Sequence, residues 1–360
     1  MSTVFSSLPV VDIHNLKAST LDTADHQALS RKLYDALSTT GFAYIKNAPL
    51  SFGQDEIFEL SRDFFALPLS QKMKLAKKSF RQSHTNTYRG YVESNLDDQV
   101  IYPPRYFPTQ PHLTPDNLKE GFEIGNPAAD HNKATPAKAQ KINLSESNVW
   151  PDAQLFAKQE RLEQIYNELQ RLAANLLSLL AAPLGKDPNF FSTWIDDSLS
   201  TLRLLHYPPV AQTVSPGTKH AEQAVRLSCT PHTDSGILTL LHQDATGGLE
   251  VLNAAGEWIP APYIPGSIVV NIGDLMARVS GSRFKATMHR VRAPLPNPDA
   301  ADARFGRFSI PFFFEPGEVC SVSIEGEEDS IVYGDYLRRK MATFVEFQED
   351  SGYDTGTTEE

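Results

Sequence analysis

The stretch Pro231-His-Thr-Asp-Ser-Gly-Ile-Leu-Thr-Leu-Leu-His242 joins two polar side chains to the start of an apolar run. In an extended segment, side chains two residues apart point to the same side. His232 and Asp234 can therefore reach one metal ion from one segment. The run from Gly236 to His242 is short and mostly apolar, which predicts a buried strand directly after the pair.

A second imidazole comes later, at His289 in Ala286-Thr-Met-His-Arg-Val291. Two histidines and one carboxylate leave part of a metal's coordination shell open, and this ligand set is typical of non-haem Fe(II) oxygenases. The open positions would take O2 and a co-substrate together. A His-x-Asp pair also arises by chance, and surface hydrogen bonding or an N-cap is then the alternative role for His232 and Asp234.

Several short strands surround these residues. Gly247-Gly-Leu-Glu-Val251 predicts a turn into a strand, and Pro265-Gly-Ser-Ile-Val-Val-Asn-Ile-Gly-Asp274 predicts another strand that ends in a turn. The next strand after His289 carries Arg307 and Ser309. Ligands that arise from consecutive short strands are the pattern of a double-sheet jelly roll.

Arg307 and Ser309 form a second group. Two residues apart on a strand, they point to one side, where a guanidinium binds a carboxylate with two hydrogen bonds and a hydroxyl adds a neutral donor. Tyr207 could add a third donor from a neighbouring strand. The alternatives are a surface salt bridge and a strand-face hydroxyl. The apolar run Ser309-Ile-Pro-Phe-Phe-Phe314 weakens both, because an arginine entering it needs an anionic partner.

These motifs resemble those of the Fe(II)/2-oxoglutarate-dependent dioxygenases, in the isopenicillin N synthase-like branch. The resemblance extends over most of residues 8–345. It rests on the His-x-Asp at 232 and 234, His289, the Arg-x-Ser at 307 and 309, and two early strands, Leu8-Pro-Val-Val-Asp-Ile13 and Gly41-Phe-Ala-Tyr-Ile-Lys-Asn47.

The resemblance implies an α+β fold with a double-stranded β-helix (jelly roll) core flanked by helices. It implies that Fe(II) is bound by His232, Asp234 and His289. It implies that the distal carboxylate of 2-oxoglutarate is held by Arg307, Ser309 and Tyr207. The reaction would consume O2, decarboxylate 2-oxoglutarate to succinate and CO2, and hydroxylate a small molecule such as a nucleobase-like ring or a secondary metabolite.

Within the branch, the chain looks closest to fungal and bacterial members of the thymine 7-hydroxylase type. The plant flavonoid and hormone enzymes usually read Asn-Tyr-Tyr-Pro where this chain has Leu205-His-Tyr-Pro208, and a polar loop at about 211–228 is longer here. Two other functions stay open: an oxidase of the same fold that desaturates or closes rings, with or without 2-oxoglutarate, and a catalytically silent jelly-roll binding protein.

Alternation along the strands also predicts residues beside the metal. If Tyr207 points into the barrel, so does Arg203, and Phe313 shares a face with the predicted carboxylate-binding residues. Arg203 would donate hydrogen bonds to the substrate and Phe313 would offer an aromatic plane, with Asn271 joining them from its own strand. The alternatives are a packing role for Phe313 and a buried acid as the partner of Arg203.

The chain is predicted to divide into four segments. They are an N-terminal region with substrate-covering loops (1–150), a support helix and connector (151–198), the Fe(II)/2-oxoglutarate core (199–318), and a C-terminal helix and tail (319–360). Apolar spacing predicts helices at 24–40, 54–66, about 69–77, 152–180 and 335–344.

The stretch 79–151 reads as one long irregular segment, and loops of that length are commonly functional. Within it, Tyr88-Arg-Gly-Tyr91 looks like a lip over the site. This makes Arg89 a further substrate-binding candidate, with a plain turn as the alternative.

Composition fits a soluble enzyme of the cytoplasm. The 360 residues carry a net charge of −11 with no basic run, which argues against nucleic acid or an anionic membrane as a partner. No stretch has the apolar length of a membrane helix, and the start lacks the features of a signal peptide. Cys229 and Cys320 are too few for a disulfide framework, and Cys229 is expected to be a buried, inert thiol. The oligomeric state is left open.

Overall fold

The structure is a computed structural model, and it describes residues 3–16, 24–93, 119–129, 142–187, 189–208, 227–293, 305–324 and 330–341. Two predicted features lie outside these residues. They are the polar loop at 211–228, apart from its last two residues, and the tail from about 349.

Most of the strands belong to two sheets. In chain order the strands are β1 (Val10–Asp12), β2 (Phe42–Lys46), β3 (Gly90–Val92), β4 (Glu120–Ile124), β5 (Thr201–Tyr207), β6 (Leu227–His232), β7 (Leu238–Gln243), β8 (Leu249–Leu252), β9 (Trp258–Pro260), β10 (Ser267–Ile272), β11 (His289–Arg292), β12 (Arg307–Phe314), β13 (Ser321–Val322) and β14 (Ile331–Val332). The main sheet has the order β1-β2-β10-β7-β12-β5-β4-β3. The small sheet has the order β6-β11-β8-β9, and β13 pairs with β14.

The register of the two sheets brings the sequence motifs together. On the main sheet, Arg307 lies opposite Tyr207, and Ser309 lies opposite Gln243 on the other side of β12. On the small sheet, His289 lies opposite His232. Strand pairing therefore turns residues that are far apart in sequence into direct neighbours.

Alternation along β12 separates two environments. Phe312 and its even-numbered neighbours face the helices, where Tyr166 meets Phe312 edge-on with ring centroids 5.2 Å apart. The odd-numbered residues share a face with Leu241, which packs in a second apolar cluster formed by residues of both sheets. Arg307, an odd-numbered residue, is therefore on the face that looks into the space between the sheets.

The helices cover the outer face of the main sheet and its ends. They are α1 (Ala24–Thr39), α2 (Gln54–Phe65), α3 (Leu69–Lys72), α4 (Gln159–Ala181), α5 (Asp274–Val279) and α6 (Tyr333–Met341). The helices predicted at 24–40 and 54–66 are confirmed, and α6 confirms the last one as far as the described residues extend. The third is shorter than predicted and passes into a 3-10 turn.

The start predicted for the longest helix is wrong. α4 begins at Gln159 rather than at Asp152. The Asp152 carboxylate accepts a hydrogen bond from the Gln154 N–H (2.8 Å), and its carbonyl accepts from the N–H groups of Leu155 and Phe156 (2.9 Å each). These bonds close a turn that competes with helix, as aspartate side chains often do. The apolar stripe of α4 itself is buried as predicted.

The prediction of one irregular segment over 79–151 is also wrong, because β3 and β4 lie within it at the edge of the main sheet. β4 lacks a strand-like apolar pattern because it carries buried carboxylates. Lys72 Nζ lies 2.6 Å from Glu120 Oε2, and Lys77 Nζ lies 2.6 Å from Glu123 Oε2. Buried charges are tolerated when they are paired in this way.

Candidate metal and co-substrate site

His232, Asp234 and His289 converge on one point. One ligand atom from each lies within 4.8 Å of the others. Asp234 Oδ1 is 3.8 Å from His232 Nε2 and 3.6 Å from His289 Nε2. β6 ends at His232, and Asp234 follows it in the connection to β7. The donor set of two imidazoles and one carboxylate fits Fe(II).

Backbone carbonyls orient both imidazole rings. The Nδ1 atom of His232 lies 2.7 Å from the Thr230 carbonyl oxygen, and that of His289 lies 3.1 Å from the Thr287 carbonyl oxygen. Because a carbonyl only accepts, each Nδ1 must donate, and in the neutral form of each ring Nε2 keeps a lone pair for a metal. Burial opposes protonation of His232, but Cys229 and Asp234 outweigh burial and raise its pKa to about 9, so a cation must displace a proton from this ring. Burial and the neighbouring His232 lower the pKa of His289 to about 4, which favours its neutral, metal-binding form.

Asp234 has one oxygen fixed by hydrogen bonds and one directed at the imidazoles. Its Oδ2 accepts from Thr239 Oγ1 (2.6 Å) and from Asn271 Nδ2 (2.7 Å). Burial opposes its ionisation, but His289 and His232, with these two hydrogen bonds, hold the pKa of Asp234 below its usual value. Oδ1 is therefore a charged oxygen held ready for a cation.

A close approach of two glycines fixes the main chain of this turn. A Cβ atom on Gly273 would collide with the backbone of Gly236, so only glycine fits there. The Gly273 N–H donates to the Ile237 carbonyl (3.0 Å), and the Asp274 N–H at the start of α5 donates to the Asp234 carbonyl (2.7 Å). The end of β10 thus supports the carboxylate ligand from behind.

Cys229 lies on the far side of His232. Its Sγ is 3.8 Å from Nδ1 of that ring, on the edge opposite to the metal-facing Nε2, and 3.8 Å from Lys119 Nζ. This sulfur is not one of the three converging ligand atoms. Burial raises the pKa of the Cys229 thiol, but Lys119 and His232 outweigh burial and bring that pKa down to about 6. The inertness of this thiol stays a prediction.

Arg307 fits a carboxylate ligand. It is fully buried, its Nε donates to the Gly247 carbonyl (2.6 Å), and its guanidinium lies 4.9 Å from the centre of the Tyr207 ring. Within the described residues, its two terminal nitrogens have no hydrogen-bond partner. A buried guanidinium with two vacant donors is a ready site for an anion with two oxygens. Ser309 and Tyr207 are buried beside it.

Arg203 and Phe313 lie together, as their shared face predicted. The Arg203 guanidinium is 5.3 Å from the centre of the Phe313 ring. Arg203 also forms an ion pair with the buried Glu123, which was the alternative that the sequence left open. Burial opposes ionisation of Glu123, but Arg203 and Lys77 lower its pKa. The side chain of Arg203 remains 30% exposed, so part of it is still accessible although it pairs with Glu123.

Two predicted substrate residues have other partners. Asn271 donates to Asp234 and so holds the carboxylate that points at the two imidazoles, while its predicted contact with a substrate stays a prediction. Arg89 is buried, donates to Thr201 Oγ1 (2.6 Å) and to the Leu199 carbonyl (3.2 Å), and stacks on Tyr88. These bonds anchor β3 against the start of β5, and the predicted lip over the site stays a prediction.

Comparison with known proteins agrees with this geometry. A family model described as the 2OG-Fe(II) oxygenase superfamily matches residues 198–316. A second model, described as the N-terminal region of the non-haem dioxygenase in morphine synthesis, matches residues 8–153.

Similar proteins come from fungi. A clavatol oxidase of Penicillium crustosum is 33% identical over 315 residues, covering 86% of this chain and 85% of the relative. A 2-oxoglutarate-Fe(II) type oxidoreductase of Emericella nidulans is 34% identical over 276 residues, covering 74% of this chain and 68% of the relative. Thymine 7-hydroxylase of Neurospora crassa, solved with α-ketoglutarate (2-oxoglutarate) and thymine, has a TM-score of 0.72 at 27% identity, covering 93% of this chain and 96% of that one.

This structural similarity and the mixed main sheet fit an α+β jelly roll. Among the helices of the described residues, none has both the length and the apolar character that a membrane crossing needs.

Proposed function

The chain belongs to the 2OG-Fe(II) oxygenase superfamily, and we propose that the two groups of residues above are its iron and co-substrate sites. The protein is an Fe(II)- and 2-oxoglutarate-dependent oxygenase that oxidises a small organic molecule with O2 and converts 2-oxoglutarate to succinate and CO2. In the proposal, Fe(II) is bound by His232, Asp234 and His289. The outer carboxylate of 2-oxoglutarate is bound by Arg307, Ser309 and Tyr207.

One observation carries the assignment of the residues: three ligand atoms of His232, Asp234 and His289 converge, and Arg307 is buried with two terminal nitrogens that have no partner among the described residues. A silent binding protein would not need the three ligand atoms aimed at one point. An oxidase without 2-oxoglutarate would not need Arg307 buried with vacant nitrogens, which is costly for a charged group. The combination favours the 2-oxoglutarate-dependent reaction.

Bound Fe(II), together with 2-oxoglutarate and O2, supplies the oxidising chemistry. The chain's own residues orient the reactants and exclude water. Phe42 meets His289 edge-on with centroids 5.2 Å apart, and Val251 lies opposite His289 on the small sheet, so one side of the site is dry. Arg203 and Phe313 form the substrate wall of the proposal, and hydroxylation of a C–H bond held against that wall is the proposed outcome.

The finer architecture is also part of the proposal. The main and small sheets together would form the double-stranded β-helix, with the division at 1–150, 151–198, 199–318 and 319–360 following from it. The acidic net charge supports a small-molecule partner in the cytoplasm over nucleic acid or a membrane surface.

Anaerobic addition of Fe(II) and 2-oxoglutarate tests the assignment. A weak visible charge-transfer band is expected for wild type, because iron and the chelating end of 2-oxoglutarate meet at one site. His289→Ala should abolish the band. His14→Ala is the matched control, since the side chain of His14 is 62% exposed, and it should leave the band unchanged.

Succinate release is the second measurement, and it tests the co-substrate assignment. Arg307→Ala should keep the iron but require a much higher 2-oxoglutarate concentration for the band and for succinate release. Retention of the band in His289→Ala would contradict the iron assignment. An unchanged 2-oxoglutarate dependence in Arg307→Ala would contradict the co-substrate assignment.

A further inference from the structure

Glu315 is a buried carboxyl that the proposed reaction leaves without a role. It follows Phe314 at the end of β12, and alternation puts it on the same face as Ser309 and Phe313. Its backbone is locked: the Glu315 N–H donates to Ser200 Oγ (3.0 Å), and its carbonyl accepts from Ser198 Oγ (2.6 Å). These two hydrogen bonds fix the backbone of Glu315 and therefore the direction in which its side chain leaves the main chain.

The carboxyl group lies over the turn that carries the metal ligand. A Cβ atom added at Gly236, two residues after Asp234, would be 3.0 Å from Glu315 Cγ and 3.5 Å from its Oε1. The glycine thus makes room for the glutamate. Only 6% of Glu315 is exposed, yet its Oε2 has no hydrogen-bond partner in the part of the chain that the structure covers. A buried carboxyl oxygen without a partner is costly and calls for a ligand.

Charged groups from several elements surround this carboxyl. Arg89 and Arg203 favour its ionised form, whereas Asp234 disfavours it. Tyr333 of α6 stands beside it, and hydrogen bonding from the Tyr333 hydroxyl also favours the ionised form of Glu315. Burial is the largest influence and raises the pKa of Glu315 to about 7.

We infer that Glu315 determines substrate specificity by accepting a hydrogen bond from an N–H or O–H group of the organic substrate. The inference rests on the proposed function, because it places the substrate beside Arg203 and Phe313. An arginine offers only donors and an ionised carboxylate, the form that Arg89 and Arg203 favour at Glu315, offers only acceptors, while Phe313 offers a flat apolar face. The three fit a planar ring, a phenol or a cyclic amide, that carries a carbonyl oxygen and an N–H or O–H donor.

The test uses the iron- and 2-oxoglutarate-loaded enzyme with two ring compounds named for relatives, thymine and clavatol. 1,3-Dimethylthymine and clavatol dimethyl ether are the matched probes, because methylation removes the N–H and O–H donors and keeps the rings. Succinate release is measured for wild type, Glu315→Gln, Glu315→Leu and Tyr333→Phe. The visible band and the KM for 2-oxoglutarate show that each variant still carries its iron and co-substrate.

At least one donor-bearing probe should stimulate succinate release by wild type, and its methylated counterpart should have a KM at least tenfold higher. Glu315→Leu should raise the KM for the donor-bearing probe at least tenfold, leave the KM for 2-oxoglutarate unchanged and lose the discrimination against methylation. Glu315→Gln should fall between wild type and Glu315→Leu.

Three outcomes would overturn the inference. Equal discrimination by wild type and Glu315→Leu would show that the carboxyl does not meet the donor. The same rise in KM in Tyr333→Phe would make Glu315 part of a structural pair with that tyrosine. No stimulation of wild type by either ring, with the visible band present, would exclude the substrate class. Absence of the band in wild type would instead refute the proposed function on which the inference rests.

Discussion

The proposed iron end of the site and its proposed substrate wall are built in different ways. At the iron end, the polar atoms around the ligands are paired, and the three ligand atoms point to one place. At the wall, Arg203 pairs with Glu123, and Glu315 has an oxygen without a partner among the described residues. The contrast indicates one end that is fixed for a common chemistry and another that can be adapted to a particular substrate.

The largest effect is expected from Asp234→Ala. Because its Oδ1 is the charged atom nearest to both Nε2 atoms, its loss should lower iron affinity and succinate formation by about 100-fold or more, since changes to groups that merely support a metal ligand already cost about 10–100-fold. Iron content after desalting and succinate release measure it. Asp335→Ala, at an exposed aspartate, is the control. Normal iron content in Asp234→Ala would contradict iron binding by Asp234, and with it the contrast between an iron end and a substrate wall.

Arg307→Ala should raise the KM for 2-oxoglutarate by about 100-fold, because truncating one partner of a buried charge pair costs about 2–5 kcal/mol. Arg307→Lys should recover only part of this loss, since an ammonium cannot match two carboxylate oxygens as a guanidinium does. Arg292→Ala, at a half-exposed arginine, should leave the KM near the wild-type value. Iron binding should stay intact in all three variants, which separates this effect from that of Asp234→Ala.

Asn271→Ala and Thr239→Val should each weaken iron binding by about 10–100-fold, the range for residues that orient a metal ligand. Both remove a hydrogen bond to Asp234 Oδ2 without removing a ligand. Competition with a chelator measures the iron affinity. If Asn271→Ala changed the KM for a substrate and left iron affinity unchanged, Asn271 would belong to the substrate wall, as the sequence first suggested.

The smallest effect concerns stability. The pKa of Glu315 is raised from 4.5 to about 7 on folding, so the folded state holds this proton more tightly than the unfolded state. The contribution of Glu315 to the stability of wild type should therefore fall as the pH rises from about 4.5 to about 7, by at most about 3 kcal/mol; His242 and His289, whose pKa values are lowered to about 4, act in the opposite direction and cancel in a comparison of variants.

Glu315→Gln does not titrate and should gain stability relative to wild type over the same pH range. Urea unfolding of the metal-free protein at pH 5 and pH 8 measures the difference. A constant difference between the two proteins at both pH values would contradict a buried, strained carboxyl at the wall.

The residues at the iron end could be predicted from the sequence, whereas the contacts at the substrate wall could not, and the difference has a physical reason. The ligands at 232, 234 and 289 and the pair at 307 and 309 are specified by residue type and spacing on strands, and the structure brings each group together. The identity of the acid that pairs with Arg203 was not predictable. Glu123 lies on β4, and the carboxylates of that strand give its sequence the polar character of a loop.

Thr239 left a usable signal, because it is a polar residue between two leucines of a buried strand and its hydroxyl holds Asp234. Arg89 left none. Its burial follows from long-range bonds to Thr201 and Leu199 that no local pattern encodes. Local spacing therefore predicted the proposed metal and co-substrate residues. The partners of the charged residues at the proposed substrate wall depend on tertiary contacts, which local spacing does not encode.

The most direct test of the central claim is a crystal structure of the protein with Mn(II), as an inert substitute for Fe(II), and 2-oxoglutarate. The metal should be bound by Nε2 of His232, Oδ1 of Asp234 and Nε2 of His289, with the outer carboxylate of 2-oxoglutarate on the two terminal nitrogens of Arg307. A metal bound elsewhere, or a carboxylate that leaves those nitrogens vacant, would contradict the account.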